Sequence, residues 1–95
     1  MKAIMKIEDS FTIAKAGLIV SGVNSQIDAL SKDEVKAEIG TQVRIVLPSG
    51  EKIDTTVREV LISESLIGKK NISIALGEMN GVTQIDRGSL LYSIA

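Results

Sequence analysis

The apolar runs of this chain are short, rich in β-branched residues, and cut by glycine or the single proline at fairly regular intervals. That punctuation constrains the fold more than any other feature, because it suits strands joined by tight turns and leaves little room for long amphipathic helices. "NISIALG" is the cleanest case: Ile72, Ile74 and Leu76 alternate with Asn71, Ser73 and Ala75, so one face of a strand is expected to be apolar. The expected class is mostly β, a small sandwich or barrel. With 95 residues the chain suits one domain over 1–95, built around one core.

The remaining elements follow from the same reading. A first strand over Ala3–Ile7 is expected to end at Asp9-Ser10, with Phe11–Ile13 resuming after a corner. Leu18–Val23 forms the next, with Gly22 where a strand must bend or be closely approached. Phe11, Ile13, Leu18 and Val20 are expected in or near the core. Ser31 and Glu34 have capping-box spacing, Val35 and Ile39 share a helical face, and Gly40 suits a C-terminal cap, which predicts one short helix over 32–38. Pro48-Ser49-Gly50 turns a hairpin. Apolar parity shifts after Arg58-Glu59, which predicts a bulge. Asp86-Arg87-Gly88 supplies a last turn, and Ser89–Ile94 is expected to close the sheet.

Composition removes several kinds of chemistry. With neither His nor Cys, a Ser-His or Cys-His nucleophile is excluded and zinc loses its commonest structural ligands. No glycine-rich phosphate loop occurs. Eleven Lys plus Arg balance twelve Asp plus Glu, so no global field attracts polyanions, and Lys69-Lys70 reads as a solvated loop. Phe11 and Tyr92 are the only aromatic residues, which leaves no broad platform for stacking bases. No apolar run approaches membrane-spanning length, so a cytoplasmic location and no membrane contact are expected. No catalytic residue, cofactor or metal is assigned.

Four blocks in order carry a resemblance. "KIEDSFTIAKAGLIVSG", "IGTQVRIV", "NISIAL" and "QIDRGSLL" resemble successive segments of domain 2 of translation elongation factor Tu, without that factor's GTPase domain. The first block is similar to the family's Pro-Ile-Glu-Asp-Val-Phe run with its later Thr-Val-Val-Thr-Gly. The last is similar to its Ile-Glu-Arg-Gly turn. The resemblance implies a small closed Greek-key-like β-barrel. It also implies a ligand-binding wall at Glu8, Asp9, Phe11, Ser21 and Asn71, with Ile19 beside a terminal adenosine and Arg87 near the acceptor end of transfer RNA. Leu61 and Glu64 stand where the family carries a glutamate and a basic residue that serve that RNA contact, which weakens an RNA partner.

The expected function is therefore a non-enzymatic, translation-linked binding module that engages a protein partner, with RNA second. The alternatives are a structural or homo-oligomeric assembly domain, or a decoy or immunity-type mimic of the factor.

Overall fold

The computed structural model describes residues 1–77, 79, 81, 82 and 84–94. Its strands are β1 (Lys2–Ile13), β2 (Gly17–Val23), β3 (Gln42–Val46), β4 (Lys52–Thr56), β5 (Glu59–Glu64), β6 (Lys70–Gly77) and β7 (Leu90–Ser93). A short 3-10 turn (Ser25–Ile27) and one helix, α1 (Lys32–Ile39), lie between β2 and β3. All strands join one antiparallel sheet in the order β4-β3-β7-β1-β2-β6-β5. Among the described residues, no helix is long and apolar enough to cross a membrane.

The sheet's concave side carries the core. Ile4, Ile7, Leu18, Val20, Val43, Ile45, Ile72, Ile74 and Leu91 are all buried there. Removing such side chains from water stabilises the fold by about 1.5–3 kcal/mol each. Helix α1 adds Val35 and Ile39 to the same cluster. Its start is fixed by a complete capping box, the Glu34 amide donating to Ser31 Oγ and the Ser31 amide to Glu34 Oε1, both at 3.1 Å. The hydrogen bond from the Ser31 amide, with the Ser31 hydroxyl second, holds the Glu34 carboxyl below its ordinary pKa. The helix runs one residue beyond its expected end because Ile39 still packs in the core before Gly40, at φ 70°, turns the chain.

The expected closure of the barrel is not made by a ladder. The two edge strands, β4 and β5, do not lie side by side; they follow one another, separated only by Val57 and Arg58. The Val57 amide donates to Thr41 O beside β3, and the next amide, of Arg58, donates to Ala75 O on β6, both at 2.8 Å. Successive parts of one run that point away from a common corner cannot pair with each other, so the curled sheet stays open between its edges. β7 does not close it either, since it pairs with β3 and β1 in the sheet's interior. The bulge expected near Arg58-Glu59 is instead the break between two strands: β5 pairs with β6 from Glu59 to Glu64 without a shift in register, and Arg58, before it, donates to Ala75, the residue that Glu59 opposes.

β1 is one strand of 12 residues, and its expected corner is a bulge. Pairing to β2 runs Ile7 with Gly22, then Asp9 with Ser21, so Glu8 is the extra residue. Gly22 is required here, because a Cβ on it would stand 2.2 Å from Lys6 O. One extra residue inverts the inward and outward sets. Ser10, opposite buried Val20, therefore faces the interior, while Phe11 and Ile13 face outward. They are 42% and 45% exposed, which corrects their expected place in the core; Leu18 and Val20 are buried as expected.

Candidate binding face

The outer face of β1, β2 and β6 gathers most of the residues singled out by sequence. Cross-strand partners share a face, so register alone defines its rows. Asp9, Ser21 and Ser73 form one row that ends at Leu61 on β5. Phe11, Ile19 and Ala75 form the next, ending at Glu59. Lys6, Val23 and Asn71 form a third, ending at Ser63. Five of the expected residues, Asp9, Phe11, Ile19, Ser21 and Asn71, thus lie on one face, with neighbouring strands about 4.8 Å apart.

Glu8 and Arg87 lie beside that face. The Asp86–Ser89 turn is bound to β1 where the bulge begins: Gly88 donates to Ile7 O at 2.8 Å and Ile7 to Ser89 O at 2.7 Å. Ser10 fixes the segment before it, its Oγ donating to Ile85 O and accepting from the Ile85 amide, each at 2.9 Å. An open depression of about 380 Å³ results, lined by Lys6, Ile7, Glu8, Arg87 and Gly88. Glu8 and Asp9 do not act as a pair, because Asp9 Oδ1 accepts from the Ser10 amide at 2.9 Å, the local backbone role that a turn-forming Asp favours. Among the described residues no three acidic side chains cluster to hold a metal ion.

The face is apolar in patches. Ile19 and Ala75 are nearly covered, whereas Phe11, Ile13, Val23 and Leu61 remain open to water. A cavity of about 540 Å³ opens beside Ala75, lined also by Lys15, Ala16, Arg58 and Glu59. The Arg58 side chain passes close over Gly77, so its guanidinium lies along the same border. Such a surface can seat a partner's aliphatic side chains and offer hydroxyl, amide and charged groups around them.

Sequence reading missed the largest exposed aliphatic residues. Leu66 and Ile67, fully and 78% exposed, form the turn between β5 and β6. Their signal was the string "SLIGKK", in which Gly68 marks a turn and two aliphatics occupy its tip. The adjacent lysine pair also differs from expectation. Lys70 is buried, its Nζ donating to Asp28 O at 2.5 Å and to Glu64 Oε1 at 3.1 Å, so it ties the hairpin to the body of the fold and is no solvated cation.

Comparison with known proteins gives no match: no family model, curated protein or solved structure is similar to this chain.

Proposed function

We propose that this chain is a non-enzymatic binding module, a curled β-domain of the elongation factor Tu domain 2 type, that engages a protein partner through the outer face of β1, β2 and β6. The observation that carries the reading is the bulge at Glu8. By inverting the strand's parity it turns Phe11 and Ile13 out of the core and sets them beside Ile19 and Ala75, on the face where the resemblance places ligand contacts. A large apolar residue left in water forgoes about 1.5–3 kcal/mol of burial, which a complex can recover.

A protein partner fits better than RNA. Leu61, 57% exposed, ends the row that begins at Asp9, so an aliphatic side chain stands where the resemblance would need an acid. Glu64 stands where the resemblance would need a base, and Lys70 beside it is already committed to Glu64 and Asp28 O.

The test is differential capture with the full chain against Phe11→Ser and Ile13→Ser variants whose far-UV circular dichroism matches the parent. A protein retained by the parent and lost from both variants supports the reading. A set of captured proteins that is the same for all three refutes it. Saturable binding of aminoacylated transfer RNA in the tens of micromolar range, abolished by Phe11→Ser, would replace the protein reading with the RNA one.

A further inference from the structure

We infer that the free edge of β5 is a self-association surface at which two copies of this chain pair antiparallel, centred on Leu61, to form a two-fold dimer with one continuous sheet. This goes beyond the proposed partner-binding role: it uses the free backbone edge of β5, at which the rows of the proposed binding face end.

The first support is the state of the edge itself. Ser65 donates to Lys69 O at the hairpin end, which sets the phase of the ladder: Glu59, Leu61 and Ser63 turn their backbone groups toward β6. By alternation the N–H and C=O groups of Val60, Ile62 and Glu64 turn outward, and among the described residues no ladder takes them. The edge carries no proline and no lysine, and its two charges, Glu59 and Glu64, stand only at its ends.

The second support is self-complementarity. A two-fold axis perpendicular to the sheet keeps each copy's outer face outward, so paired residues must have the same parity. Centred on Leu61, the register sets Leu61 against Leu61, Val60 against Ile62, and Glu59 against Ser63. The next positions outward are Glu64 and the Arg58 of the second copy, which are of opposite sign. No like charges face each other, and exposed Leu61 meets its own image in a non-hydrogen-bonded pair, the type with the closest side chains.

The third support is shape. Each β5 has a knob at one end, Leu66 and Ile67, and at the other the cavity lined by Lys15, Ala16, Arg58, Glu59 and Ala75. Antiparallel pairing brings each knob to the cavity end of the other copy's β5. Strand pairing alone buries too little for a stable complex, and these flanking contacts enlarge it.

Sedimentation equilibrium of the full chain, from about 5 to 500 µM, is expected to show a monomer–dimer equilibrium. Leu61→Lys puts two cations in direct opposition and is expected to weaken the dimer at least about tenfold while circular dichroism stays unchanged. The chain has no cysteine, so register can be read directly. Leu61→Cys is expected to form a disulfide-linked dimer under mild oxidation, since non-hydrogen-bonded partners lie within disulfide range. Thr56→Cys, on the exposed β4 edge, is the control. A chain that stays monomeric to about 500 µM, or a Leu61→Cys variant that cross-links no faster than the Thr56→Cys control, overturns the inference. Capture is read with Phe11→Ser and Ile13→Ser on β1 and pairing with Leu61→Cys on β5, so either reading can fail while the other stands.

Discussion

The β3–β4 and β5–β6 hairpins use the same turn with opposite surfaces. In the first, Leu47 donates to Glu51 O and Gly50 to Leu47 O, both at 2.8 Å; in the second, Ser65 donates to Lys69 O at 2.8 Å and Gly68 to Ser65 O at 3.0 Å. Gly50 and Gly68 take the same left-handed role, at φ 92° and 83°. Yet the first tip carries Pro48 and Ser49, and the second carries Leu66 and Ile67. Along the strands, Arg44 grips Asp54 through a two-pronged ion pair at 2.6 and 2.8 Å, whereas Leu61 faces water. Since the turn asks only for glycine, the aliphatic tip is not required by the backbone. The dimer proposed above would give it a role.

The largest effects should be shared by both hairpins, because each is rooted in the same core. Ile45→Ala in β3 and Ile72→Ala in β6 remove side chains that are fully buried, and each is expected to cost about 2–5 kcal/mol in urea unfolding. A loss confined to one of them would show that the hairpins unfold separately. Next come the turns: Gly50→Val and Gly68→Val force a β-branched residue into the left-handed region and are each expected to cost about 1–2 kcal/mol, with open space around both sites.

The tips should then separate the two hairpins. Leu66→Ser with Ile67→Ser is expected to leave stability within about 0.5 kcal/mol while abolishing self-association measured by sedimentation, and Ser49→Ala should change neither. A large stability loss from the double variant would reassign Leu66 and Ile67 to packing.

The smallest effect concerns the protected hairpin. Hydrogen bonding from Arg44 holds the Asp54 carboxyl below its ordinary range. A lowered folded-state pKa stabilises above the unfolded pKa, and that contribution disappears as pH falls through the folded value. Asp54→Asn is therefore expected to lower the urea midpoint slightly at neutral pH, with the difference shrinking as the pH falls through the lowered range of the carboxyl. A difference that persists in acid would show that the pair acts through shape alone.

Local rules read well where they fixed local structure. The capping box at Ser31 and Glu34, the Pro48–Gly50 turn, the inward set of β6 and the tight approach at Gly22 all depend on neighbours within one element or across one ladder. The orientation of Phe11 did not read, because an extra residue at Glu8 leaves no mark in the hydrophobic pattern: either parity of "DSFTI" gives a plausible strand. The place of β7 was hidden for another reason, since strand order is set by pairings between distant segments, and four residues cannot declare two neighbours. At the binding face, the pairing register brought Asp9, Phe11, Ile19, Ser21 and Asn71 together. The exposed Leu66 and Ile67 did not read, because a sequence does not state which aliphatics stay wet.

The Val57-Arg58 corner acts as a hinge pin of fixed length. The sheet's two borders are held near one another by covalent chain, so their separation is set by how many residues the corner contains. Lengthening it by a few glycines would loosen the curl and spread the borders with no core side chain changed. Access to the β5 border is therefore a tunable quantity in this architecture, and an insertion of that kind offers evolution or a designer a dial on the proposed association that leaves the interior alone.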